Sequence, residues 1–137
     1  MSNRKRYNEM IFEIGFYESI LESAPDFVEA LVCLGDLYTK TGRIAEGLAV
    51  DQRLAALRPD DPYVFYNLAC SYSLSGQIER AIEAVRMAIE KGYTDFDYLL
   101  KDSDLSQLLA NGSFREYLQR LRRQRAASSG ITDPASP

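Results

Sequence analysis

The sequence has no histidine and no tryptophan, only two cysteines, and five prolines among 137 residues. Without imidazole, a Ser-His-Asp or Cys-His relay, a His-ligated zinc and a histidine pH switch are all excluded. Cys33 and Cys70 form neither a CxxC pair nor a dense framework, so reduced thiols are expected, and neither has a basic neighbour in sequence that would make it a nucleophile. Long apolar runs are missing too. No stretch approaches the ~20 apolar residues of a membrane span. After the basic opening MSNRKRYNEM, the segment IFEIGFYESILESA is broken by Glu13, Glu18 and Glu22 and offers no signal-peptide core. The expectation is a cytoplasmic protein that makes no contact with membranes.

What is present is enough for one domain. A chain of this length hides roughly two-thirds of its unfolded surface on folding, and 46% of the residues are hydrophobic. The charge is unevenly spread. Residues 1–10 carry a net +2 and residues 114–137 a net +3, whereas residues 11–113 hold eight basic against seventeen acidic side chains, a net of −9. An acidic body disfavours nucleic acid as a partner, because that affinity comes chiefly from Lys and Arg neutralising phosphates. The basic C-terminal helix reads as a solvated charged face.

Chemistry-bearing constellations are few. Asp95, Asp97, Asp102 and Asp104 form two D-x-D pairs, but no loop glycine and distal Glu follow at calcium-loop spacing, and helix capping accounts for them. Gly42 and Gly47 bracket a gap like that of a phosphate loop; Leu48-Ala49 then stands where Lys and a hydroxyl are required. No catalytic residue, metal ligand or cofactor site is therefore expected, and the chain reads as a non-enzyme.

The dominant signal is an internal repeat. A shift of 34 residues lays Leu34 on Leu68, Tyr38 on Tyr72, Gly42 on Gly76, Ile44 on Ile78 and Asp61 on Asp95, with Leu31 over Phe65 and Leu48 over Ile82. Each unit reads as two amphipathic helices. Phe65, Leu68, Ala69 and Tyr72 fall at i, i+3, i+4 and i+7, and Ile78, Ala81, Ile82, Val85 and Ile89 resume the stripe after the Ser75-Gly76 break. Asp61-Pro62 supplies an N-cap followed by Pro at the first helical position, and Gly92 a left-handed stop. Residues 11–24, with Ile11, Ile14, Tyr17, Ile20 and Leu21, read as the second helix of a half repeat. The edge formed by Ile11, Ile14 and Phe16 is a candidate surface for a homodimer. Asp51 is the odd residue on its helix: it faces the neighbouring helices, where an unpartnered carboxylate costs several kcal/mol, so a hydrogen bond to Asn67 or a tyrosine hydroxyl is expected.

On these residues the chain resembles the tetratricopeptide repeat (TPR) family: Leu31-x2-Leu34-Gly35-x2-Tyr38, Gly42 and Pro59, then Phe65-x2-Leu68-Ala69-x2-Tyr72, Gly76, Ala81, Val85 and Ala88. Gly47, Asp51 and Tyr93 depart from the family pattern, which usually has Ala, an aromatic and Pro there. The resemblance implies an all-α fold, a right-handed solenoid of helical hairpins with about two full repeats, an N-terminal half repeat and C-terminal capping helices. The implied organisation is a flexible segment 1–10, a single domain 11–125 (half repeat 11–27, repeats 28–61 and 62–95, cap 96–125) and a disordered tail 126–137. Within the cap, Thr94 or Asp95 opens a short helix, another lies near Asp104 to Leu109, and Ser113 caps the last. Phe96, Leu99, Leu100, Leu105, Leu108, Phe114, Tyr117 and Leu121 would cover the second repeat.

The resemblance also implies a concave groove that binds a protein or peptide, as an adaptor or scaffold does. Its positions here are Glu29, Val32, Asp36, Thr39 and Lys40, then Tyr63, Tyr66, Cys70, Ser73 and Leu74, with Asp97 and Leu100 from the cap. The family's carboxylate clamp is not matched: Asn67 falls at one clamp slot, but Val32 and Asp36 stand where Lys and Asn belong. Acidic Glu29, Asp36 and Asp97 around Tyr63, Tyr66 and Val32 suit a peptide with basic and apolar residues. The alternative is a self-associating structural module using the N-terminal edge.

Overall fold

A computed structural model describes residues 2–128. The described residues are all helical, with no strand: α1 (Asn3–Ser23), α2 (Val28–Lys40), α3 (Ile44–Leu57), α4 (Pro62–Leu74), α5 (Ile78–Glu90), α6 (Phe96–Leu99), a 3-10 turn (Ser103–Leu105), α7 (Ser106–Leu109) and α8 (Gly112–Ser128). Each of the first four helices packs on the next, α5 meets α7, α4 also meets the 3-10 turn, and α8 closes over α6 and α7.

The 34-residue offset reappears in the backbone. α2 and α4 begin at Val28 and Pro62 and end at Lys40 and Leu74, while α3 and α5 begin at Ile44 and Ile78. Both turns are built alike: the Arg43 and Gln77 N–H groups donate to the carbonyls of Tyr38 and Tyr72 at 2.8 and 2.9 Å, and Gly42 and Gly76 take φ of 81° and 80°. A side chain there would enter the left-handed region at a cost of about 1 kcal/mol or more, which is why glycine holds both positions. Gly92, at φ 114°, stops α5 by the same device. Asp61 caps α4 as expected, its Oδ1 accepting from the Tyr63 N–H at 2.9 Å.

Several boundaries differ from the sequence reading. Residues 3–10 are not a separate flexible segment; they form the first turns of a 21-residue helix that Ser2 caps through the Lys5 N–H, and Met10 is buried against α2 beside Ile14. Ile14 therefore does not share an exposed edge with Ile11 and Phe16, since i and i+4 from Met10 define the packed face of α1. The exposed apolar side chains of α1 are Tyr7, Ile11, Phe12 and Phe16. Asn111, not Ser113, caps α8: its Oδ1 accepts from the Phe114 N–H at 3.0 Å. That helix runs on to Ser128, past the expected end at 125, and residues 129–137 of the expected tail lie outside the described residues.

The core divides into three apolar clusters. Met10, Ile14, Leu34, Leu37 and Tyr38 join α1 to α2; Leu31, Leu54 and Val64 join α2, α3 and α4; the largest unites α4 and α5 with the capping segments through Leu68, Val85, Leu99, Leu105, Leu108 and Leu118. Leu118, completely buried, is not among the expected cap residues, although it lies four residues from Phe114 on the same helical stripe. Gly47, where Ala is usual, sits at a close approach: a Cβ there would come within 3.1 Å of the Thr39 hydroxyl oxygen. That hydroxyl already donates to the Gly35 carbonyl at 3.0 Å.

Candidate functional site

A cleft of about 550 Å³ opens between α2 and α4, with α3 beneath it and the α6 to α7 segment along one side. Each wall follows from helical spacing. Val32, Asp36 and Thr39 are three or four residues apart on α2, as are Asn67, Cys70 and Leu74 on α4, so each set presents one face to the space between. α3 contributes Asp51, and the capping segment contributes Tyr98, Asp102 and Asp104.

The nine residues expected to bind a peptide divide clearly. Val32, Asp36, Tyr66, Asn67, Cys70 and Leu74 line this cleft; Glu29, Lys40 and Tyr63 do not. Glu29 lies in the first turn of α2, exposed and away from it. Lys40 is drawn into an i,i+4 ion pair with Asp36 at 2.8 Å. Tyr63 is exposed and rests edge-on against Tyr93, their ring centres 5.9 Å apart. Ser73 is buried, and Leu100 and Asp97 are also outside the cleft lining, Asp97 being bonded to Arg122 at 2.6 Å.

Tyr66 is a wall element. It is buried, stacks on Tyr93 with ring centres 4.6 Å apart, and donates its hydroxyl hydrogen to Asp102 Oδ2. Burial and that bond push its pKa well above the usual tyrosine range. Cys70 Sγ lies 3.9 Å from the same carboxylate oxygen, and burial with the negative charge of Asp102 pushes the thiol pKa up, which keeps it protonated. The exposed apolar surface in the cleft is supplied by Val32, Leu74 and Tyr98.

The acidic character survives with different owners. Asp36, Asp51, Asp102 and Asp104 line the cleft, and among the described residues no Lys or Arg does. Asp102 has the capping role foreseen, its Oδ1 accepting from the Asp104 N–H at 3.0 Å, but its second oxygen reaches α4. Asp104 has its pKa raised by burial and by the nearby Asp102 charge. Asp51 is 6% exposed, and its partner is neither Asn67 nor a tyrosine: Oδ2 accepts from the Ser71 hydroxyl, because Ser71, one turn on from Asn67, is the α4 residue turned inward. Burial pushes the Asp51 pKa up to about 6, and the Ser71 bond opposes that rise.

Both cysteines are free thiols. No group of three or more His, Cys, Asp or Glu side chains among the described residues is placed to hold a metal ion. No helix among them is long and apolar enough to cross a membrane.

No protein-family model matches the chain. Over 85 residues it is 28% identical to a chloroplastic protein of Arabidopsis thaliana; the match takes in 60% of this chain and 25% of that protein. The chain thus spans about a quarter of the length of this relative.

Proposed function

We propose that the chain is a TPR-type module, a right-handed solenoid of helical hairpins, that binds a protein or peptide carrying basic and apolar residues in the cleft between α2 and α4. The observation that carries this reading is the composition of the cleft: four aspartates, no cation among the described lining residues, and exposed Val32, Leu74 and Tyr98 beside them. The 34-residue recurrence of helix bounds and glycine turns supports the solenoid. A groove of this chemistry attracts a cationic segment from a distance and holds it by burying apolar side chains.

The two contributions separate by salt. A peptide with alternating Leu and Arg, followed by fluorescence anisotropy, should lose affinity as ionic strength rises, since exposed charges are screened beyond about 8 Å at physiological salt. Val32→Ala combined with Leu74→Ala should weaken it at every salt concentration by about ten-fold, as two exposed aliphatic anchors that the peptide would cover are lost. Asp104→Asn should matter chiefly at low salt. Preference for acidic peptides with free C-terminal carboxylates would overturn the assignment.

A second reading, association of two copies, is favoured by the apolar face of α1, where Phe12 is 78% and Phe16 56% exposed. Large exposed aromatics close together on one helix mark an interface more often than a bare surface. Replacing both with Asp should turn a concentration-dependent dimer into a monomer in sedimentation equilibrium. A monodisperse monomer for the unaltered chain at millimolar concentration sinks this reading.

A further inference from the structure

We propose that Asp51 is the specificity-determining residue of the cleft and that it receives a single cationic side chain, an arginine or lysine, from the bound partner. This deepens the peptide-binding reading given above and rests on it.

The fold itself does not call for a carboxylate at this place. Thirty-four residues on, the equivalent of the Gly35 and Asp51 pair is Ala69 and Val85, both completely buried and apolar. The same helix-to-helix contact is therefore made in the second unit without any polar group. In the first unit two changes occur together: a valine position becomes Asp, and the facing alanine position becomes Gly. Their coupling is geometric, since a Cβ on residue 35 would lie 3.1 Å from Asp51 Oδ1. Glycine leaves room for that oxygen beside α2.

The carboxylate is also only half satisfied. Oδ2 takes the Ser71 hydroxyl hydrogen, whereas Oδ1 has no hydrogen-bond donor among the described residues, although Asp51 is 6% exposed and lines the cleft. A buried carboxylate oxygen without a donor is costly, and a cation that brings its own N–H groups removes the cost. Nearby cations are committed elsewhere: Lys40 to Asp36, Arg53 to Asp26, and Arg43 to Glu46. The acids that share the cleft are tied up differently. Asp102 serves Tyr66 and the Asp104 N–H, and Asp36 holds Lys40, so they set the field at the rim while Asp51 waits at the floor. The cleft volume of about 550 Å³ accommodates a side chain of this length beside apolar neighbours.

The probe is a blocked peptide, acetyl-Gly-Ser-Leu-Arg-Leu-Ser-Gly-amide, and its twin with citrulline replacing Arg, which keeps the shape and removes the charge. Calorimetry on the full chain should give the Arg peptide an advantage of about ten-fold or more, the value of one charged buried hydrogen-bonded pair. Asp51→Asn, nearly identical in shape, should collapse that advantage to under about two-fold while both peptides still bind through Val32 and Leu74. Asp104→Asn should lower the affinity of the Arg peptide without erasing the discrimination. Equal binding of the two peptides to the unaltered chain, or discrimination retained in Asp51→Asn, overturns the assignment of Asp51 and leaves the peptide-binding reading standing. Failure of both peptides to bind at millimolar concentration overturns that reading and this assignment with it. Circular dichroism of Asp51→Asn establishes that the variant is folded, and Gly35→Ala gives an independent arm: by crowding Oδ1 it should reduce the Arg advantage with Asp51 still in place.

Discussion

Truncation of Leu68 to alanine is expected to destabilise the chain by about 2 to 5 kcal/mol, the range for removing a buried leucine and leaving its cavity partly unfilled. Leu68 is 7% exposed and belongs to the largest apolar cluster, where α4 meets α5 and the capping segments. α4 is also the helix that reaches back to α3, through Val64 against Leu54. Loss of α4 packing therefore removes support from both sides at once, and denaturant unfolding should remain a single transition with a lower midpoint. Two resolved transitions would show that the first pair of helices is stable without the second. A loss below about half a kcal/mol would mean that the site collapses around the smaller side chain, and that the 34-residue register carries less of the stability than its packing implies.

Much of that register was legible because its determinants are local. Gly42 and Gly76 announce left-handed turns, Asp61-Pro62 announces a helix start, and Leu34 and Leu68 recur at one phase of the helical period. Each requires only the few residues around it. The beginning of α1 was hidden for the opposite reason: NRKRYNE offers no apolar stripe of its own, and its helix is carried by the cap at Ser2 and the anchor at Met10.

The cleft was half legible. Helical spacing alone puts Val32 with Asp36, and Cys70 with Leu74, on shared faces. The contributions of Asp102 could not be read that way, since its partners Tyr66 and Cys70 stand 36 and 32 positions earlier in the chain. The same distance problem removed Asp97, captured by Arg122 from α8. Lys40 is different. Asp36 precedes it by four residues, and the i,i+4 rule would have predicted that its charge is spent within the helix.

Asp51→Asn is expected to change the pH dependence of stability by about 2 to 3 kcal/mol between pH 4 and pH 7. The folded-state pKa of Asp51 is pushed up to about 6 from an ordinary 3.8, with burial the larger cause and the Ser71 bond acting against it. Folding therefore favours the protonated form. The stabilisation this provides is fully present below about pH 4 and is lost as the pH rises through about 6, so the ionised carboxylate burdens the native state at neutrality. Asparagine does not ionise, and its amide oxygen can still accept from Ser71. Its amide hydrogens bring an offset of about 1 to 2 kcal/mol against the variant where Oδ1 now has no partner. The variant should thus be the weaker protein at about pH 4 and the stronger at about pH 7. Asp104, whose pKa is also raised, contributes to both proteins alike and cancels in the difference. Parallel stability curves would show that Asp51 is as well solvated in the folded chain as in the unfolded one. A stronger variant at neutral pH that no longer distinguishes arginine from citrulline would locate the cost and the selectivity in the same carboxylate, the trade expected when a site is built at the expense of the fold.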